Sequence, residues 1–418
     1  MIKMAPQSEN QMLDLARSIL SITGDIVKEL ETTGVPVPHF APESSDVPIT
    51  DSYIRLRNSL NDAAGDLLLL VNGPQAHTRQ LLASHHDLAA YQIAFAYGVF
   101  AAVPEGSPIT ITKLAQSVGL PDDILRRVLY VLCTQRVFEE IEKDVFVHTH
   151  GSVVFARDPQ LRAAAEYQLE EFLKAAGSAT TALRNGSQSP FHEAFGMPLF
   201  QYYTENPNLG ARFASAMAGI AKLDRQTSEI WNGYSWSDLG DKQVVDIGGG
   251  SGHVSIALAD KYPNLNITVQ DGNPAMFAHT SKQESGPVKE GRVKFIQHNF
   301  FNPQPIKGAG VYLLRQITHN WSDADCVKIL RAIVPVLEPS TSLLINDTIM
   351  PEHGARTRYE ERSLRQVDMM MFVALGAKQR TLQDFRNLLH AADPRLQVCR
   401  TIHAEGSMGL IEVQLGNR

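Results

Sequence analysis

Four glycines in five positions follow a short apolar strand and an acid. In VVDIGGGSGHVSIALA (residues 244–259), Val244 and Val245 lead to Asp246. Gly248, Gly249, Gly250 and Gly252 come next, and an amphipathic helix follows. Glycines allow a tight strand-to-helix turn and let a ligand come close to the main chain. A generic nucleotide-binding turn has a similar look. However, a dinucleotide fingerprint needs a third glycine at 253, where this chain has His253. G-x-G-x-G after an acid suits a cofactor with an amino-acid end and no pyrophosphate, with Asp246, Gly248 and Gly250 as binding residues. Asp271 ends the next apolar stretch, ITVQD, where a carboxylate can accept both ribose hydroxyls of an adenosine cofactor. A turn-forming role ahead of Gly272-Asn273-Pro274 explains the same residue locally.

The elements positioning these residues read as α/β from Gln243 onward. Apolar stretches QVVDIGG, NITVQD, VKFIQH, AGVYLLRQI and TSLLIND alternate with helical segments, which indicates a mostly parallel sheet. RLQVCRTI and GLIEVQLG are too close for a crossover helix and predict a C-terminal antiparallel hairpin turning near AEGSM. Upstream the chain is mainly helical. Residues 1–35 read as an amphipathic helix, GVPVPHFAPESSDVP as an extended linker, and about 52–103 as helix again. The stretch Leu88–Val103 is apolar on every side, so it should pack against another helix or another subunit. Residues 108–150 read as helix–turn–helix–hairpin, a winged-helix pattern. Residues 155–240 read as helical with GSQSPFHEAFG as a loop. The expected organisation is a helix and linker (1–50), a helical, winged-helix dimerisation domain (51–160), a helical connection lining the substrate pocket (161–240), and a Rossmann-like catalytic domain (241–418).

With 418 residues, 38 Lys and Arg against 45 Asp and Glu, and a net charge of −7, the chain lacks the clustered positive charge that nucleic acid or an anionic membrane requires. The winged-helix segment itself has more acids than bases. Three cysteines, Cys133, Cys326 and Cys399, have no C-x-x-C spacing and fit reduced thiols better than a disulfide framework or a metal site. The first residues carry no signal-peptide core, and no stretch is suited to span a membrane. The expected setting is the cytoplasm.

Five motifs narrow the reading. FIQHNFFNPQP, AGVYLLRQITHNWSDADCVKIL, LLINDTIMPE, DMMMFVALGAKQRTLQDF and the upstream FHEAFGMPLFQYYTENPNLGARFASAMAG resemble, in order and spacing, the plant and fungal class of small-molecule O-methyltransferases. The similarity runs from about residue 85 to the end. It implies S-adenosylmethionine as cofactor, and a homodimer in which the N-terminal domain closes part of the partner's active site. It also implies an aromatic or polyketide-type acceptor methylated on a phenolic or enolic oxygen. By position it places Gly248, Asp271, Asn299, Phe300 and Arg315 at the cofactor and His319 as general base. Asp347 is the acid orienting that base. Phe213, Met217, Trp321, Met370 and Ala374 face the acceptor. The neighbouring Met350, Met369 and Met371 read as flexible core filler.

The implied chemistry is in-line displacement on a sulfonium, in which the protein aligns acceptor, methyl and sulfur and excludes water. A phenol has a pKa of about 10, so near neutrality a base must remove its proton, a task suited to histidine. Three positions depart from the family pattern. Asn299 and Asn320 replace acids, and the Gly-Lys-Glu-Arg-Thr motif reads Ala377-Lys378-Gln379-Arg380-Thr381. Gln379, the third catalytic candidate, can hydrogen-bond His319 but cannot stabilise imidazolium by charge. An alternative follows: a cofactor-retaining pericyclase or dehydratase-cyclase, with the sulfonium as a fixed charge and no methyl transfer.

Overall fold

The computed structural model describes residues 10–223, 228–278, 280–282, 286–403 and 408–416. It divides into two compact units, Met1–Asp224 with Arg356–Arg362, and Arg225–Ala355 with Ser363–Arg418. The expected boundary at 240/241 falls inside the second unit. Ile230, on the helix Ser228–Asn232, and Trp236 are buried in that unit's core, which ties 228–239 to it.

The second unit carries a seven-stranded sheet among the described residues: β1 (Gln243–Ile247), β2 (Asn266–Asp271), β3 (Val293–Gln297), β4 (Val311–Arg315), β5 (Ser342–Asp347), β6 (Leu396–His403) and β7 (Gly409–Leu415). Their order is β6-β7-β5-β4-β1-β2-β3. β1 to β5 pair in parallel, and β7 runs antiparallel to both β5 and β6. This is the expected Rossmann-like methyltransferase sheet with its C-terminal hairpin; the turn of that hairpin (404–407) lies outside the described residues.

Strand alternation builds the core directly. Val245, Tyr312, Leu314, Leu343 and Ile345 join one buried cluster, while Val244, Val311, Leu313 and Leu344 join another. Successive side chains point to opposite faces, so each strand needs helices on both sides. Helices Asp323–Ile333 and Leu382–Ala392 cover one face and His253–Lys261 the other. Each is amphipathic enough to bury one stripe and solvate the rest.

In the first unit, the expected N-terminal helix is Gln11–Thr33; residues 1–9 lie outside the described residues. The long helical stretch is Asp51–Ala96, broken at Gly73, whose φ of 65° and ψ of 175° precede Pro74. Within the apolar run, Ala90, Ala94, Phe95, Val99, Phe100 and Val103 are buried in the unit's own core. Of the two coverings expected for that run, packing against other helices of its own unit is the one found, so the run itself is no argument for a second subunit. Leu88 and Tyr97 of the run are exposed, and a further exposed apolar group lies upstream on the same helical stretch, at Leu68, Leu69, Leu70, Val71, Leu81 and Leu82.

Residues 108–150 form helices Ile111–Val118 and Asp122–Thr134, then strands Phe138–Glu142 and Val145–His148, with Ile109–Thr110 as a third strand. Arg126, among the few bases there, pairs with Asp144 at 2.6 Å. The expected loop 186–196 holds a further helix, Pro190–Phe195. Ser189 caps it by accepting the His192 N–H, and Pro190 stands at the first position. No helix among the described residues is long and apolar enough to cross a membrane.

Candidate active site

The carboxyl ends of the parallel strands carry the candidate residues. β1 lies between β2 and β4, so chain connections leave in opposite directions from this point of the sheet. A crevice opens at such a switch in open α/β sheets.

The loop after β1 is fixed by its neighbours. The Gln270 carbonyl, on β2, accepts the N–H of Gly248 (2.7 Å) and of Gly249 (3.0 Å). Gly248 has φ +75°, and a Cβ there would lie 2.5 Å from Ile317 Cδ1 and 3.5 Å from Phe300 Cε1. Only glycine lets the loops after β1, β3 and β4 converge this closely. Gly250, at φ +56°, has open space around a notional Cβ, with only Met276 Cε at 3.6 Å. Asp246 sits beneath the loop, 4% exposed, and accepts the Ser255 hydroxyl at 2.6 Å. Its burial raises the carboxyl above the usual range.

Asp271 spreads its carboxylate between two main-chain donors, Gly250 N–H (3.1 Å) and Asn273 N–H (2.9 Å). Each oxygen keeps a lone pair for a further donor. Asp271 thus closes its own turn, the local reading, and its carboxylate remains able to accept hydroxyls. Asn299 is exposed and accepts the Phe301 N–H within its turn. Phe300 meets Trp321 edge-on at 5.7 Å, and Phe301 meets it at 4.9 Å. Trp321, expected at the acceptor, thus packs against a residue expected at the cofactor. Arg315, the last residue of β4, hydrogen-bonds Gln316 Oε1 and exerts its charge on Asp246 and His253. A glycine turn above a buried, hydrogen-bonded carboxylate, an aromatic ring and a second carboxylate with spare lone pairs together fit S-adenosylmethionine.

The expected base and its acid sit on the turn Thr318–Asn320 and at the end of β5. His319 Nδ1 donates to Asp347 Oδ1 at 2.6 Å. Asp347 also accepts the Thr318 hydroxyl (2.5 Å) and the N–H groups of His319 (3.2 Å) and Thr348 (3.0 Å). Asp347 is 1% exposed. Burial raises its pKa, but the His319 charge and these hydrogen bonds outweigh that and hold it below the ordinary carboxylate range. His319 Nε2 has no hydrogen-bond partner among the described residues. The turn is entered through Gln316 at φ +55°, a left-handed conformation unusual outside glycine, and Asn320 Nδ2 donates back to the Gln316 carbonyl.

Gln379 is 7% exposed, and its Oε1 is buried without a partner. No hydrogen bond joins it to His319; its backbone N–H instead donates to Asp368 Oδ1 at 2.7 Å. Met370 and Ala374 lie one turn apart on the helix Arg358–Leu375, half-buried and buried. Phe213 and Met217 belong to the first unit, one turn apart on the helix Pro207–Leu223, with Phe213 stacked on Tyr203 at 4.6 Å. Sequence reasoning missed Arg380, Thr318 and Gln270. Among the described residues no cluster of His, Cys, Asp and Glu is arranged to hold a metal.

Comparison with known proteins agrees with this geometry. The profile of the O-methyltransferase domain family matches residues 177–393. The chain is 44% identical to O-methyltransferase sol2 of Alternaria solani, over 98% of this chain and 96% of that protein. It is 31% identical to O-methyltransferase aurJ of Gibberella zeae, over 98% of each. The structure of the mitomycin 7-O-methyltransferase MmcR superposes with a TM-score of 0.71 at 27% identity, covering 82% of this chain and 98% of that one. The chain belongs to the O-methyltransferase family. It is a fungal-type, S-adenosylmethionine-dependent enzyme of secondary metabolism.

Proposed function

We propose that this enzyme methylates a phenolic or enolic hydroxyl of a small aromatic or polyketide-type metabolite, with His319 as general base and Asp347 as its orienting acid. One observation carries the reading: Asp347 holds Nδ1–H of His319, which leaves Nε2 as the nitrogen free to take a proton. S-adenosylmethionine, when bound, supplies an electrophilic methyl on its sulfonium. His319 Nε2 removes the acceptor's proton as its oxygen becomes nucleophilic. Asp347 stabilises the imidazolium through a short, charge-assisted hydrogen bond. When the cofactor is bound, Asp271 would accept its ribose hydroxyls, Phe300 would line the adenine, and Gly248 and Gly250 would leave room for the amino-acid end. Met370 and Ala374 contact the acceptor. The direct experiment follows methyl transfer from labelled cofactor across a panel of phenols and polyketides, with equal-mass isomers monitored in parallel. Isomer formation without cofactor consumption would establish the cyclase chemistry instead.

Gly250→Val tests the cofactor assignment. The new side chain has protein space to occupy but enters the space assigned to the cofactor, at a φ that strains any β-branched residue. Cofactor affinity by calorimetry should fall by about tenfold or more, a loss of about 1.4 kcal/mol. Unchanged affinity would remove Gly250 from the site.

We further infer that the protein works in the cytoplasm as a homodimer through helix Asp51–Ala96. Leu68, Leu69, Leu70 and Val71 are 59, 47, 45 and 59% exposed, and Leu81 and Leu82 are 66 and 68% exposed. An apolar surface of this kind is commonly an interface. Light scattering at micromolar protein should give twice the chain mass, and the pair Leu81→Glu and Leu82→Glu should shift it toward the monomer. A native chain that is monomeric at every concentration overturns the assignment.

A further inference from the structure

Arg380 is the least expected charge in the second unit. It is 1% exposed, and each of its three guanidinium nitrogens is hydrogen-bonded to protein. Nη1 donates to the Thr318 carbonyl at 2.6 Å and Nη2 to the Trp321 carbonyl at 2.8 Å. Nε and Nη2 both reach Asp323 Oδ1, at 3.0 and 2.7 Å. Lys378 pairs with the other oxygen of Asp323 at 2.9 Å. Thr318 and Trp321 are the two ends of the turn that presents His319.

Burying a guanidinium is expensive, and packing alone is served as well or better by an apolar side chain. Here its donors go to the turn's carbonyls, while Asp347 accepts that turn's N–H and hydroxyl groups. The base is therefore gripped between a donor fork and an acceptor carboxylate that act on opposite polar groups of one turn. A left-handed Gln316 leads into it, and such a conformation persists only where surrounding structure over-determines it. The parallel bridge of Ile349–Met350 with Arg380–Thr381 brings Arg380 alongside the end of β5, although it is 61 residues beyond His319 in sequence.

We infer that Arg380 is a positioning residue for His319, fixing the imidazole by clamping the carbonyls on either side of it; this rests on the reading of His319 as general base. The fork geometry matters because lysine carries the charge on a single nitrogen and cannot span both carbonyls and Asp323 in the same plane. The clamp is expected to affect turnover and to leave cofactor affinity untouched.

The test is a double-mutant cycle on the holoenzyme with a methylated acceptor, measuring kcat, KM, cofactor affinity by calorimetry and Tm. Arg380→Lys should lower kcat by about tenfold to a hundredfold, the loss expected from small misplacement of a reacting group, with cofactor affinity retained. In a His319→Ala background the same change should cost less than about twofold, because residues acting through one another are non-additive. A structural role alone would give equal losses in both backgrounds, and that result overturns the inference. Asp323→Asn, on a half-exposed partner, loosens the fork while keeping the guanidinium, and should lower kcat by about threefold to tenfold. If Arg380→Lys does not fold, Asp323→Asn decides through the same cycle, and native kcat in it overturns the proposal. Native kcat in His319→Ala would instead overturn the reading of His319 as base.

Discussion

His319→Ala should lower turnover by about 10²- to 10⁴-fold, the contribution usual for a positioned general base. Cofactor affinity should barely change, because the imidazole is committed through Nδ1 to Asp347 and lies on the turn after β4, apart from the residues assigned to adenosine. Raising the pH toward the acceptor's own pKa, about 10 for a simple phenol, should partly restore the variant, since solvent then supplies the phenolate. The measurement is a pH–rate profile of both enzymes that follows methylated product and equal-mass isomers together. A variant with a flat deficit at all pH values would show that His319 does something other than accept a proton. The solved structures sharing this fold include one described as a pericyclic reaction enzyme, at 23% identity and a TM-score of 0.73. The sheet alone therefore does not separate the two chemistries, and the behaviour of this histidine does.

Asp347→Asn should be almost as damaging, lowering turnover by roughly 10²-fold, and for a different reason. The amide keeps the shape but removes the charge that stabilises imidazolium, and whichever way it turns its NH₂ meets a main-chain N–H, that of His319 on one side or Thr348 on the other. Breaking one partner of a buried pair costs about 3–5 kcal/mol, so Tm should fall as well. The pH dependence has a definite sign. Asp347 titrates lower in the folded protein than in the unfolded chain. Its stabilising contribution is present above the unfolded value, about 3.9, and is lost as pH falls through the lower folded value. Native protein should thus lose stability on acidification below about pH 4, and Asp347→Asn should lose less over that window. Parallel acid-unfolding curves for the two proteins would show the reverse, that Asp347 does not contribute in this way.

Much of this was legible beforehand because it depends on local pattern. β2 coincides with the stretch NITVQD, β6 runs one residue past its stretch to His403, and the other strands of the sheet fall within theirs, because buried parallel strands are continuous apolar runs. The glycine loop and Asp271 were legible for the same reason. Helix Pro190–Phe195 was missed although its signals were present, a capping serine followed by proline, because glycines at 186 and 196 marked the segment as a loop. The expected Gln379–His319 hydrogen bond followed from motif position alone; in the structure the main chain of Gln379 turns toward Asp368 and its Oε1 is left without a partner. Arg380 was in plain view inside the same motif, yet nothing local ties it to residues 318 and 321. That tie depends on a two-residue strand pairing, too short to leave a pattern.

The order in which the sheet is assembled has a consequence for biosynthesis. β5, which ends in Asp347, is flanked by β4 on one side and on the other by β7, the latest of the seven strands in sequence; Asn346 Nδ2 reaches across to the Gly409 carbonyl, and Asp347 is in register with Gly409. A nascent chain that has emerged only through residue 400 already contains every residue assigned to cofactor and proton transfer, yet the strand bearing the acid still has an open edge. Translation must therefore pass Val413 before β5 has both its neighbours, so the edge beside the acid closes only after every residue assigned to catalysis has been made.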